Sequence, residues 1–358
     1  MKLKKITIEN FRNIENSTLE FSADTTLIYG DNAEGKTNVI EALYMFAHSK
    51  SFRRAREKEL IKFGEEEARL TAFFEERGKE VSFEISISRK NGKTFFYNGI
   101  RLEKMRDFFG HFLAVLFVPE YLKIIKNGPS ERRSFLDSAI CQIKPAYIST
   151  LFAYHRLCEE KNALLRNFNG DKILLEVYND KLSEVAARIS RERFEYIKLI
   201  EDKTKAHFEK MSGGDSISLE FMPSGLVMTE KPLDEFYREL FEKNIENDIK
   251  LGRMSCGAQL DDVEIIVNSL SARSFASQGQ QRSAVIALKL AEGETVGELT
   301  RRQPVYLFDD ILSELDEKRR EYILSSLEAK QVIITSCQKD EDIRVYTYYA
   351  KGGSYERK

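Results

Sequence analysis

At 358 residues, 42% hydrophobic and 32% charged with a formal net charge of −2, the chain has room for two domains or one domain carrying an insertion. No apolar run approaches the ~20 residues of a membrane-spanning helix. The N-terminal stretch Met1-Lys2-Leu3-Lys4-Lys5-Ile6-Thr7-Ile8 alternates like a strand instead of forming a signal-peptide core. Cys141, Cys158, Cys256 and Cys337 form no C-x-x-C pair, so neither a zinc site nor a disulfide framework is indicated, and a reducing cytoplasm fits.

Along the chain, strand signals dominate the first hundred residues. Thr26-Leu27-Ile28-Tyr29 is a short buried-type run that stops at Gly30. Asn38 to Ala47 then carries apolar residues at helical spacing. Runs at Ala68–Phe74, Val81–Ser88 and Thr94–Tyr97, separated by Gly78 and Asn91-Gly92, predict an antiparallel β lobe over about 67–103. Val115-Leu116-Phe117-Val118, ended by Pro119, is a further buried strand. After Gly128-Pro129 the pattern becomes helical, from Ser130 to about Phe168 and from Leu174 to Met211. The break between them is Asn167-Phe168-Asn169-Gly170-Asp171. Two antiparallel helices, each on the order of 55 Å long, or an ordinary helical bundle, fit this region equally. His207 on the apolar side reads as a packed residue. Strands return at Ser216–Phe221 and Val263–Val267, with a charged helix over Leu233–Ile245 between them. The last hundred residues are α/β: a helix over Ser283–Glu294, a buried strand Val305–Phe308, a helix over Glu317–Leu327 and a strand Gln331–Ile334.

Three motifs carry chemistry. Gly30-Asp31-Asn32-Ala33-Glu34-Gly35-Lys36-Thr37 has the G-x-x-x-x-G-K-T spacing of a phosphate loop, set between the required strand and helix. Such a loop turns backbone N–H groups toward phosphate oxygens, and the helix N-terminus adds partial positive charge. Lys36 would reach the β/γ-phosphates of ATP and Thr37 would offer a hydroxyl to Mg²⁺. The second motif, Asp309-Asp310, ends a buried strand. Asp309 would hold Mg²⁺ through water, and Asp310 would orient or deprotonate the attacking water. The third is Ala276-Ser277-Gln278-Gly279-Gln280, just before the helix at Ser283. It is either a simple helix cap or a second anion site, with Ser277, Gly279 and Gln280 as its contacts. One chain has no use for two γ-phosphate sites. A head-to-tail dimer with each ATP shared between protomers resolves this.

The long separation between Thr37 and Val305 predicts an ABC-type ATPase head from residues 1–128 and 251–358. A helical arm over 129–250 would be inserted in it. Basic residues cluster at Arg53, Arg54, Arg56 and Lys58, and again at Arg188, Arg191 and Arg193. On charge alone, solvated faces are the favoured reading of both.

The ordered set Asn10-Phe11-Arg12-Asn13, the phosphate loop, Ser51-Phe52-Arg53, Gly128-Pro129 with Arg132-Arg133-Ser134-Phe135-Leu136-Asp137, Ala276–Arg282 and Leu307–Asp316 resembles the RecF family of SMC-related recombination-repair ATPases. The resemblance spans essentially the whole chain. It implies ATP-dependent dimerisation, slow ATP hydrolysis, DNA binding at gaps or single-strand/double-strand junctions, and cooperation with RecR and RecO in loading RecA. Arg12 and Asn38 join the expected nucleotide contacts, and Glu120, near the usual Q-loop position, is a candidate sensor of the metal or water. Arg53, Arg54, Arg56, Arg132 and Arg133 are the expected DNA contacts. Three departures stand out. Ala33 replaces the usual second loop glycine. Gly257-Ala258-Gln259-Leu260-Asp261-Asp262 replaces Gly-Pro-His-Arg/Lys-Asp-Asp. Thr335-Ser336 stands where transporter ATPases carry a switch His, so any γ-phosphate sensing there would use a hydroxyl.

The competing expectations are a membrane-transporter ATPase subunit, an SMC-type structural chromosome protein and a small-molecule kinase. The absent switch His and the long arm disfavour the first. The second needs far longer coiled coils, and the third leaves the Ser277 loop without a role.

Overall fold

A computed structural model describes residues 1–21, 24–76, 78–170, 172–228, 230–339 and 346–358; Asp171 of the expected inter-helix break lies outside them. The chain opens with strands β1 (Lys2–Phe11), β2 (Ile14–Glu20) and β3 (Thr25–Tyr29), then helices α1 (Lys36–His48) and α2 (Glu57–Leu60). Strands β4 (Glu67–Glu76), β5 (Lys79–Ser88), β6 (Gly92–Tyr97), β7 (Ile100–Arg101) and β8 (Ala114–Phe117) follow. Next come α3 (Lys123–Lys126), α4 (Pro129–Ile143), α5 (Tyr147–Arg166), α6 (Lys172–Ser212), β9 (Ile217–Met222) and α7 (Leu233–Leu251). β10 (Asp262–Val267), β11 (Leu270–Ser271), α8 (Ala272–Phe275) and α9 (Gln278–Thr300) lead to β12 (Val305–Asp309), α10 (Glu317–Ser326), β13 (Val332–Ser336), β14 (Tyr346–Lys351) and β15 (Ser354–Arg357). The chain divides into two units, Met1–Tyr121 with Lys289–Lys358, and Leu122–Leu288.

The first unit holds two six-stranded sheets. One is antiparallel in the order β2-β1-β4-β5-β6-β7. Its strands bury alternate residues, Ile6 and Ile8 on β1 (with Leu3 beyond a register shift), Leu70, Ala72 and Phe74 on β4, and Phe83, Ile85 and Ile87 on β5, as a sheet with one packed face requires. The β lobe is therefore larger than expected, because β1 and β2 belong to it. The other sheet runs β15-β14-β3-β13-β12-β8, with β14, β3, β13, β12 and β8 mutually parallel. Strands β8 and β12 are buried at every residue, so they read as unbroken apolar runs. α1 contacts strands of both sheets and is buried all round from Val39 to His48. The Gln331 side chain pairs with the backbone N–H and C=O of Leu3, each at 2.8 Å, and so ties one sheet to the other.

The second unit packs α4 to α7 with the antiparallel sheet β11-β10-β9. Helix α6 runs 41 residues, about 60 Å at 1.5 Å per residue. The helix expected over Ser130–Phe168 is interrupted. Pro145 lacks an N–H and restricts Lys144, so α4 ends at Ile143 and α5 restarts at Tyr147. The partner of α6 is consequently 20 residues long. His207 is buried, as its place on the apolar side implies. Among the described residues, no helix is long and apolar enough to cross a membrane.

Candidate nucleotide site

The parallel sheet of the first unit builds the site at the carboxyl ends of its strands, where open α/β sheets present ligand-binding loops. β3 delivers Gly30, and α1 starts at Lys36 with Gly35 before it at φ 102°. β13 lies between β3 and β12, which brings Asp309 to the same edge. The Thr37 hydroxyl donates to Asp309 Oδ1 at 2.9 Å, closing a gap of 272 positions. Lys36 is 3% exposed, and its ammonium donates to the carbonyls of Gly30 and Asp31, each at 2.8 Å. The ammonium is thus held inside the curl of the loop.

Asp309 receives a second donor on the same oxygen, the Thr335 hydroxyl at 2.8 Å. Burial pushes its carboxyl above the usual range; the Thr335 and Thr37 hydroxyls work against that, and the Asp310 charge adds to it. A buried carboxylate beside a hydroxyl is a hard-oxygen donor set suited to Mg²⁺. Asp310 has a positive φ of 52°, and its N–H donates to Thr335 Oγ1 at 3.1 Å. Of the Thr335-Ser336 pair, the Thr335 hydroxyl is therefore occupied: it is 1% exposed and serves Asp309 and Asp310. Ser336 is the partly exposed hydroxyl of the pair.

Arg12 and Arg53 converge on Glu41, a fully buried acid within the otherwise apolar run Val39–Ala47 of α1. Arg12 makes a two-pronged pair with it, Nε at 2.9 Å and Nη2 at 2.6 Å, and also reaches the Glu59 carbonyl. Ser51 donates to the same carboxylate. Arg53 is half exposed, 3.3 Å from Asn38 Oδ1 and 3.9 Å from Glu41. Asn38 in turn donates to Asn13 Oδ1 at 2.7 Å. Sequence reasoning missed Glu41 and quoted Asn13 without giving it a role; the lone acid in the apolar run Val39–Ala47 was the available signal for Glu41. Glu120 is exposed in the turn after β8, and among the described residues no hydrogen bond or ion pair joins it to Thr37, Asp309 or Asp310.

In the second unit, Ser277 and Gln280 cap α9 reciprocally. The Gln280 N–H donates to Ser277 Oγ at 3.2 Å, and the Ser277 N–H donates to Gln280 Oε1 at 2.9 Å. Gln280 also donates to Asp215 at 2.8 Å. Ser277 remains exposed, with Gly279 in the first turn behind it. The cap reading thus holds as geometry, and it leaves the hydroxyl at the surface.

The expected DNA contacts separate into two groups. Arg53, Arg54 and Arg56 are exposed. Arg132 is not available: it is 5% exposed, doubly bonded to Asp262 and donating to the carbonyls of Ile124 and Asn127. Arg133 is half-buried and donates to the Asp261 carbonyl at 2.7 Å. Asp261 and Asp262, which match the expected Asp-Asp of the Gly257–Asp262 segment, therefore supply acceptors to both arginines.

Residues 2–346 match the family profile described as RecF/RecN/SMC N terminal domain. The chain is 39% identical over 350 residues to the DNA replication and repair protein RecF of Clostridium botulinum (strain Eklund 17B / Type B), covering 97% of this chain and 95% of that protein. The chain belongs to the RecF family. A solved structure described as the recombination mediator protein RecF-ATP in the RecFOR pathway superposes with a TM-score of 0.93 at 33% identity, over 100% of this chain and 97% of that one. An Smc head bound to the C-winged helix domain of ScpA shares the fold more distantly, with a TM-score of 0.57 at 17% identity. The RecF fold thus accommodates Ala33, whose φ of 67° is the left-handed conformation a glycine would adopt there without strain.

Proposed function

We propose that this RecF-family chain is an ATP-switched DNA-repair protein, whose ATP-bound dimer clamps DNA at gaps or single-strand/double-strand junctions. We read residues 1–128 and 251–358 as its ATPase head and 129–250 as an inserted helical arm, in a cytoplasmic protein. The observation that carries the ATP reading is the Thr37–Asp309 contact beside a buried Lys36 ammonium. An ammonium, a hydroxyl and a carboxylate meeting at one sheet edge support a cation for phosphate and two oxygens for a metal. Gly30 to Asn38 would wrap the triphosphate, with N–H groups and Lys36 on its oxygens. Thr37 and Asp309 would hold Mg²⁺, which when bound neutralises charge on the β- and γ-phosphates. Arg12, anchored by Glu41, would stand beside the nucleotide. Asp310 would orient the attacking water, with slow hydrolysis as the release step.

Ser277, Gly279 and Gln280 would complete the site of a second protomer. The exposed Ser277 hydroxyl at a helix N-terminus supports that reading. Arg53, Arg54 and Arg56 would contact DNA phosphates, so affinity would fall steeply with salt. The family implies RecR as the direct partner and RecO and RecA beyond it. Ser277→Arg tests the shared site. ATP affinity should stay within about twofold of wild type while the ATP-dependent dimer is lost on light scattering. A wild-type dimer in ATP would rule out the arrangement.

A further inference from the structure

The C-terminal hairpin carries no recognisable motif, yet it lies against the phosphate loop within the first unit. β14 pairs in parallel with β3 and places Tyr349 opposite Tyr29, the last residue before Gly30. The two rings lie 5.5 Å apart. A Cβ on Gly30 would collide with the Ala350 carbonyl. Glycine is thus required at Gly30 by the hairpin as well as by the phosphate.

Beyond Gly30, three successive loop carbonyls are held from outside. Asn13 Nδ2 donates to the Ala33 carbonyl at 3.4 Å. The Gly353 N–H donates to the Glu34 carbonyl at 3.1 Å. Tyr355 Oη donates to the Gly35 carbonyl at 2.9 Å, which also receives the Asn38 N–H as α1 begins. The Gly352 N–H adds a bond to the Glu34 carboxylate. Gly353 is itself fixed by Ser17, whose hydroxyl donates to its carbonyl at 2.9 Å.

A peptide plane carries its C=O and the next N–H in opposite directions. Donors on the carbonyls of residues 33, 34 and 35 therefore aim the N–H groups of Glu34, Gly35 and Lys36 the other way. An inward-facing row of N–H groups is the anion-binding nest of a phosphate loop. We infer that the β14–β15 hairpin is a strap that holds this loop in its phosphate-binding shape, with Tyr355 and Glu34 as positioning residues. The strap removes a cost of ordering that the loop would otherwise meet when ligand arrives. It rests on the ATP reading of the loop and deepens it.

The test uses the full chain with Tyr355→Phe, Glu34→Ala and Glu34→Gln. Tyr355→Phe keeps the ring and removes only the donor. It should weaken both ATP and ADP binding by roughly fivefold, with the nucleotide-free unfolding midpoint moved by less than about 2 °C. Glu34→Ala should behave similarly, and Glu34→Gln, which retains an acceptor, should restore most of the affinity. In the nucleotide-free chain, the amides of Glu34, Gly35 and Lys36 should exchange faster in Tyr355→Phe while α1 stays protected. Wild-type affinity and unchanged loop exchange in both Tyr355→Phe and Glu34→Ala would overturn the strap. Should Tyr355→Phe not fold, Glu34→Ala, altered at a partly exposed side chain, decides between the same two outcomes. Failure of the wild-type chain to bind ATP would instead overturn the nucleotide reading, and the exchange measurement would still test the strap.

Discussion

The phosphate loop of the first unit and the acid–arginine network of the second are built from the same residue types to opposite ends. In the loop, backbone carbonyls hold Lys36, and Asp309 takes only hydroxyl donors. Among the described residues neither Lys36 nor Asp309 forms an ion pair, and the Arg53 charge favours the Asp309 carboxylate without bonding to it. In the second unit the charges neutralise one another. Arg193, 4% exposed, pairs with both oxygens of Asp137 and with Asp261 at 2.9 Å, while also donating to the Ala258 carbonyl. Tyr237, Ser190 and the Ser224 N–H complete Asp261. Burial works against the Arg193 charge, and Asp137 with Asp261 more than restores it. Lys36, buried with only carbonyl partners, keeps its charge unpaired, whereas Arg193 sets its charge against two carboxylates.

Three substitutions sharpen that contrast. The largest effect belongs to the network. Arg193→Met should destabilise the chain by about 3–5 kcal/mol, because the buried Asp261 and the part-buried Asp137 lose their cation. Denaturant unfolding would measure it, and a loss below about 1 kcal/mol would show the network to be dispensable. Lys36→Ala should do the reverse. It should weaken ATP binding by at least ~100-fold with little change in unfolding midpoint, and unaltered ATP affinity would break the loop assignment. The smallest effect is at Ala33, exposed and left-handed. Ala33→Gly should relieve about 1 kcal/mol of backbone strain, read as a small rise in the unfolding midpoint or in ATP affinity.

How much of this is legible in the sequence follows from the range of each interaction. The phosphate loop, the strand ending at Asp309 and the cap at Ser277 are local patterns, and each lies where its pattern indicated. Arg132 depends on Asp262, 130 positions away, and nothing near it in sequence distinguishes it from the exposed Arg54. The same holds for Arg193, which sits in a basic cluster that reads as a solvated face. Pro145 is visible, but its break falls inside a convincing apolar periodicity. β15 is Ser354-Tyr355-Glu356-Arg357, a charged edge strand with no apolar alternation, so period-based reasoning has nothing to find. The Thr335-Ser336 pair could not be divided from sequence, because a hydroxyl can serve a phosphate or a neighbouring carboxylate equally well; Thr335 serves Asp309.

The central claim is that ATP converts the chain into a dimer that holds DNA. Mass and DNA affinity measured on the same samples, with and without ATP and Mg²⁺, on gapped, duplex and single-stranded DNA, test it most directly. The account predicts a doubled mass in ATP and, with it, tighter binding to gapped or junction DNA that weakens steeply with salt. Equal mass and equal DNA affinity with and without ATP would contradict it.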